Sequence, residues 1–181
     1  MDKTIKRLIS DRGGIQLDIG CGRNKQGPDW VGIDIQEFPG VDIVHDFNVH
    51  PWPLPDECAV RAICSHVIEH IPPVIVSDAG TRFPFIEFMN EVWRILKYDG
   101  QFAVSLPYGT SPGMLQDPTH VNFCNEHTWL YFDPLETRAN GALYPFYTPK
   151  PWKITNLFWD PVGNMEVLMV KRREDVSYYD R

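Results

Sequence analysis

Short runs rich in valine and isoleucine recur through the first hundred residues, each bounded by Gly, Pro, Asp or Asn. Runs of that kind predict strands, here at Gln16–Ile19, Val31–Ile35, Val41–Asp46 and Val60–Ser65. The period then changes. Phe85, Phe88, Met89, Val92, Trp93 and Leu96 recur at i, i+3, i+4 and i+7, which predicts an amphipathic helix over Phe85–Leu96. Asp99-Gly100 is expected to stop it, and Phe102–Leu106 reads as a fifth strand. Asn125 is a good cap for a short helix over Glu126–Phe132. Trp152–Trp159 and Met165–Lys171 read as two further strands joined by a turn at Asp160-Pro161-Val162-Gly163. Near the start, Ile5, Leu8 and Ile9 share a face of one or two helical turns over residues 2–10, which Asp11-Arg12-Gly13-Gly14 breaks. No repeat, linker or low-complexity segment interrupts the chain, so 1–181 reads as a single domain.

The stretch Ile15 to Ile35, IQLDIGCGRNKQGPDWVGIDI, holds two strand runs around a glycine-rich turn, and each run carries one acid. A buried parallel strand is normally an unbroken apolar run, so Asp18 and Asp34 need a reason to be there. A nucleoside at the carboxyl ends of the strands supplies one. Gly20 and Gly22 let backbone amides approach a ligand, and Asp34 suits a bidentate grip on a ribose diol. The plainer alternatives are a solvated strand-end acid at Asp34 and a turn-organising carboxylate at Asp18.

LDIGCG followed by VGIDI resembles the first two motifs of the class I S-adenosylmethionine (SAM)-dependent methyltransferases. HDF at His45–Phe47, SHVIEHI at Ser65–Ile71 and YDGQFAVSLPY at Tyr98–Tyr108 match later segments of that family in order. The resemblance covers roughly Ile15 to Pro107. It implies an α/β, Rossmann-like, seven-stranded and mostly parallel sheet with a C-terminal antiparallel hairpin, a SAM cofactor and methyl transfer. It implies a cofactor site of Asp18, Gly20, Cys21, Gly22, Asp34, Ile35, Asp46, Phe47, Ser65 and His66. Asp46 would face the adenine amino group, with Phe47 against the ring. His70, Tyr108 and Asn122 would lie on the acceptor side. The spacing departs from the family in one respect. Nine residues separate Gly20 from Trp30 and five separate Ile35 from Val41, whereas a parallel crossover usually takes a dozen or more. A compact version is expected, its early crossovers being loops without a full helix after the glycine turn or the dipole contact such a helix offers.

Composition narrows the partners. Hydrophobic residues make up 43% and charged residues 23% of the 181 residues, as in ordinary globular proteins. The net charge of −7 disfavours duplex nucleic acid, whose binding draws on phosphate neutralisation. The one basic cluster, Lys171-Arg172-Arg173, reads as a solvated strand end. Cys21, Cys58, Cys64 and Cys124 form no CxxC pair and read as small buried hydrophobes in a reducing compartment. No apolar stretch approaches a membrane span or a signal peptide, so a cytoplasmic protein with no membrane association is expected.

Two polar segments remain. His66-Val67-Ile68-Glu69-His70 spells HxxEH, the inverted zinc-protease motif, which requires a helix carrying both histidines. A β-branched run leads straight into it and Pro72-Pro73 closes it, leaving no room for that helix, so no metal ligands are assigned. In Asp117–Phe123, DPTHVNF, His120 is a candidate to take a proton from an acceptor with Asp117 orienting it; an Asp-capped turn with a structural histidine is the alternative. The aromatics Tyr131, Phe132, Tyr144, Phe146, Tyr147 and Trp152 either roof an acceptor pocket or simply pack. The Asp/Asn-Pro-Pro-aromatic motif of base-amino methyltransferases is replaced by Ser-His-Val-Ile, and Cys64 lacks the Pro-Cys context of cytosine-C5 enzymes. The expected function is methyl transfer from SAM to a small-molecule or unpaired acceptor. The alternatives are a SAM-binding sensor or partner without transfer and, further off, the zinc hydrolase. A dinucleotide oxidoreductase is disfavoured because GCGRN lacks the third glycine of GxGxxG.

Overall fold

A computed structural model describes residues 3–136 and 147–173. Helix α1 (Lys3–Arg12) precedes strands β1 (Ile15–Ile19), β2 (Trp30–Asp34), β3 (Ile43–Val44) and β4 (Ala59–Ser65). A 3-10 turn (Ile68–His70) and a hairpin of β5 (Ile75–Ser77) and β6 (Gly80–Arg82) lead to α2 (Pro84–Ile95). Then come β7 (Leu96–Pro107), α3 (Pro112–Leu115), α4 (Glu126–Leu130), β8 (Trp152–Trp159) and β9 (Asn164–Lys171).

The main sheet has seven strands in the order β3-β2-β1-β4-β7-β9-β8. β9 runs antiparallel to both its neighbours and the other pairings are parallel. The order reverses between β1 and β4, which makes that crevice the topological switch point where ligands of open α/β sheets bind. The expected shortening is present: residues 20–29, 35–42 and 45–58 contain no helix.

The long apolar runs fold as their pattern dictates. Leu17, Ile19, Ile33, Ala62, Phe102 and Leu106 are fully buried on the sheet, and α2 turns Phe85, Phe88, Met89, Val92, Trp93 and Ile95 inward. Each large side chain so buried contributes about 1.5–3 kcal/mol. Asn125 caps α4 as expected, its side chain accepting from His127 and Thr128 in a capping box.

Three expectations are corrected. The third strand is two residues long, not six: at its entry the Asp42 amide still donates to the Gly32 carbonyl at 2.9 Å, but the Asp42 carboxylate stands in for a backbone carbonyl, taking the Gly32 amide at 2.7 Å and the Lys25 ammonium at 2.7 Å. Asp99-Gly100 does not stop α2. The helix ends at Ile95 with Leu96 as its extended C-cap, and residues 97–100 bulge out of β7, since Ala59 pairs with Leu96 but Arg61 with Gln101. Lys171 is buried: its ammonium donates to the Leu96 carbonyl at 2.7 Å and lies 4.0 Å from the Trp93 ring centre, a desolvated cation–π contact. Arg172 pairs with Asp133. Of the aromatics that could roof a pocket or pack, Phe132 and Trp152 pack in the core on Phe85 and Phe102; Tyr144 and Phe146 lie outside the described residues.

Candidate functional site

The carboxyl ends of β1, β2, β4 and β7 converge on one edge of the sheet. β1 ends at Ile19 and the chain turns at Gly20 (φ +72°) and Gly22 (φ +52°), backbone conformations that favour glycine. The buried Asp34 carboxylate locks this turn from the end of β2: Oδ2 accepts from the Gly22 amide at 2.8 Å and Oδ1 from the Gln36 amide at 2.9 Å. A carboxylate has about four acceptor sites, so two remain for hydroxyls of a ligand. Ile35 is exposed beside it. The Cys21 side chain is buried, and burial pushes its thiol up to about 11.

Asp18 is buried within β1 and accepts from the Gln26 amide at 2.8 Å. It organises the far side of the same loop. Burial, and behind it the nearby Asp34, outweighs that bond and Lys25, and raises its pKa above the ordinary 3.8. A raised carboxyl pKa means that the neutral form favours the fold. The stabilisation is full below 3.8 and is lost as pH climbs through the raised value. Asp18→Asn, which keeps an oxygen for Gln26, is therefore expected to melt no lower than wild type at neutral pH, with any advantage vanishing in acid. Thermal melts at both pH values check this.

The turns after β1 and β4 touch. A Cβ at Gly20 would meet Val67 Cγ2 at 2.1 Å, so the glycine turn lies directly against the segment leaving β4. Ser65 is exposed at the strand end and His66 follows with φ +56°. A left-handed histidine is strained backbone, which tends to persist at functional sites. The His66 ring bonds Glu69 Oε1 at 3.1 Å, and that bond holds the imidazole above its ordinary pKa. HxxEH is therefore a 3-10 turn, not a helix. The shared helical face needed by the zinc-protease motif does not form.

At the outer end of β2 and β3, Asp46 Oδ1 accepts from both the backbone and side-chain nitrogens of Asn48, an Asx turn. Phe47 is half-buried against Trp52 and Phe88, with ring centres 5.2 and 6.0 Å away. The same loop is moored by the Trp52 amide on buried Glu91 at 2.6 Å, a tie the sequence did not signal.

Asp117–Phe123 is stapled to the 3-10 turn. The amides of Val121 and Asn122 both donate to the Glu69 carbonyl, at 2.8 and 3.0 Å, and buried Asn122 donates its side-chain nitrogen to the Ile68 carbonyl at 3.2 Å. The His120 and His70 rings thereby meet edge to face, 4.7 Å apart. Asp117 Oδ1 accepts from the Thr119 amide and hydroxyl, which lowers its pKa, and its other oxygen stops 3.8 Å from His120 Nε2. Its orienting hydrogen bonds therefore go to Thr119, and His120 is held by the Met114 carbonyl, 3.1 Å from Nδ1. Tyr108, after β7, donates its hydroxyl to Glu126 at 3.1 Å.

All four cysteines are buried and free. Burial pushes Cys58 up to about 11 and Cys124 up to about 12, and raises the Cys64 thiol well above its ordinary value. The thiolate is the reactive form, so alkylation of the native protein at neutral pH is expected to be slow at every thiol and to run to completion only after unfolding. Mass spectrometry of pulse-labelled protein checks this.

A second cleft, of about 910 Å³, opens at the amino-terminal edge of the sheet, where Arg94 is paired with Glu91 and Asp56. It lies away from the glycine turn.

Solved structures share this architecture. A SAM-dependent methyltransferase from Archaeoglobus fulgidus is 18% identical, with 93% of this chain and 91% of that one covered and a TM-score of 0.57. The 1,6-didemethyltoxoflavin-N1-methyltransferase of Burkholderia thailandensis, with bound 1,6-didemethyltoxoflavin and S-adenosylhomocysteine, is 14% identical over 93% and 76% of the two chains, with a TM-score of 0.55. The [4+2]-cyclase SpnF is 13% identical over 93% and 80%, also at 0.55. No protein-family model and no curated protein sequence matches the chain. The fold is that of the Rossmann-like, class I SAM-dependent methyltransferases. Among the described residues no helix is long and apolar enough to cross a membrane.

Proposed function

We propose that the chain is a SAM-dependent methyltransferase acting on a small-molecule or unpaired acceptor. The observation that carries this reading is Asp34: a buried carboxylate at the end of β2, at the switch-point crevice, locking a glycine turn with two amides and keeping acceptor capacity for a diol.

The cradle fits a nucleoside. Asp34 would take the ribose hydroxyls, and Asp46 the adenine amino group, with Phe47 beside the ring. The backbone at Gly20, Cys21 and Gly22, with Asp18 beneath, would line the methionine end, and Ser65 and His66 close the far wall. Buried acids on this edge suit a cationic ligand. The cofactor supplies an already electrophilic methyl group, so the protein's work is alignment and exclusion of water. No protein nucleophile is needed, in keeping with the suppressed thiols.

On the acceptor side, His120 has Nδ1 against a carbonyl, which can only accept; the proton therefore sits on Nδ1 and Nε2 keeps its lone pair. That nitrogen can take a proton from an acceptor hydroxyl or amine, with Asp117 3.8 Å away and the His70 ring beside it; Tyr108 and Asn122 would complete the acceptor side. Incubation with methyl-labelled SAM and small-molecule or single-stranded nucleic-acid fractions is expected to label a product. His120→Ala is expected to slow that labelling by about 10²-fold or more, as for loss of a general base.

The missing helix after the glycine turn favours a second reading, a SAM-binding protein without methyl transfer, and the same fold serves a cyclase. Retained SAM binding with no labelling in any fraction would select it.

A further inference from the structure

We infer that Glu69, His70 and His120 form a binding site for one first-row divalent cation of the zinc or cobalt class. One carboxylate oxygen of Glu69 and one ring nitrogen of each histidine lie within 4.8 Å of one another. Two imidazoles and a carboxylate are a ligand set suited to such cations.

Two independent observations point to a ligand. The first is Glu69 itself. Its side chain is fully buried, Oε1 bonds His66, and Oε2 is buried with no hydrogen-bond partner. An orphaned buried carboxylate oxygen is costly and asks for an ion or water. The second is the arrangement behind the two rings. Thr119 donates its hydroxyl hydrogen to Asp117 Oδ1 at 2.7 Å, so toward His70 Nδ1, 3.0 Å away, its oxygen can only accept. His120 Nδ1 faces the Met114 carbonyl, also an acceptor. Both Nδ1 atoms must therefore carry the hydrogen, and both Nε2 atoms present a lone pair. Metal-binding histidines are held in this way by outer partners that fix the tautomer and ring orientation. The aspartate–threonine–histidine relay and the carbonyl–histidine pair supply two such anchors. Two amides of the DPTHVNF loop on the Glu69 carbonyl hold the halves of the site together.

His70 is exposed, which gives an ion a path to the buried Glu69. A bound cation commits the His120 lone pair, so in the filled site His120 acts as a ligand and no longer as a proton acceptor. The inference rests on these residues alone and stands whether or not the chain transfers methyl groups.

The test uses full-length protein without a polyhistidine tag, stripped with chelator and titrated with Co²⁺ and then Zn²⁺ in the absence of SAM. Wild type is expected to bind one equivalent of Co²⁺ with a visible d–d band that Zn²⁺ abolishes. Thr119→Val, which cuts the relay to His70, is expected to weaken binding about 10–100-fold. His70→Ala, at an exposed position, and Glu69→Gln, which keeps the shape, are expected to weaken it at least as much. His127→Ala, an exposed histidine on α4, is expected to bind like wild type. Absence of a stoichiometric site in wild type, or equal affinity in His70→Ala and wild type, would overturn the inference.

Discussion

Asp34→Ala is expected to weaken binding of SAM and of S-adenosylhomocysteine about 10–100-fold, and to destabilise the free protein as well. The two losses have different origins. Removing the carboxylate leaves the Gly22 and Gln36 amides without acceptors, and each unsatisfied, partly buried donor costs about 1–3 kcal/mol. The ligand loses its partner for the ribose hydroxyls, again about 1–3 kcal/mol, which gives the stated fold-change at 1.4 kcal/mol per decade. Asp34→Asn separates them. It keeps oxygen for one amide and presents an NH₂ group to the other, so stability falls less, while the paired grip on a diol is still lost. Calorimetric titration beside thermal melts of both variants makes the comparison. Unchanged ligand affinity in Asp34→Ala would place the nucleoside elsewhere.

Gly20→Ala is expected to destabilise the fold by about 3 kcal/mol. A Cβ there would lie 2.1 Å from Val67 Cγ2, and Val67 is branched at Cβ and packed against the core, so it has little freedom to move. Overpacking costs about 1–3 kcal/mol, and a left-handed non-glycine residue at φ +72° adds about 1–2 kcal/mol. For a chain of this size the melting temperature should fall by roughly 6–12 °C. Val67→Ala in the same chain opens the space without relieving the backbone, so it should recover the steric share and leave the conformational one. The two substitutions should therefore couple by about 1 kcal/mol or more in a double-mutant cycle. Simple additivity would mean the turns after β1 and β4 do not touch.

The parts of this molecule that could be read from its residues are those set by local pattern. β1 and β2 carry buried apolar runs and α2 an amphipathic stripe, and each forms where its pattern predicts. The parts that misled were decided by side chains capping or replacing backbone. At the entry to β3 the Asp42 carboxylate, in place of a backbone carbonyl, takes the Gly32 amide. The β5–β6 hairpin carries no alternating apolar pattern, because five of its six residues are exposed, and so gave no signal. Lys171, one of three consecutive basic residues, was buried by a carbonyl and an aromatic ring contributed from far away in the chain.

The same distinction runs through the site. Asp34 was conspicuous because an acid ended an apolar strand just after a glycine turn, a local pattern with a physical reason. The roles of Glu69 and Thr119 were hidden because they exist only across the fold: Thr119 reaches His70 over 49 positions of sequence. His66 and His70 looked like a pair in the sequence. The left-handed backbone at His66 and the 3-10 turn after it gave Glu69 to His66 and set His70 beside His120.

The central claim is that a nucleoside lies at the switch point between β1 and β4, held by Asp34 and the glycine turn. Calorimetric titration of the free protein with S-adenosylhomocysteine tests it most directly, because binding is read without any acceptor. One-to-one binding that adenosine competes for and that Asp34→Ala weakens about 10–100-fold is the expected result. No binding heat at ligand concentrations reaching the millimolar range, with the protein shown to be folded, would contradict it.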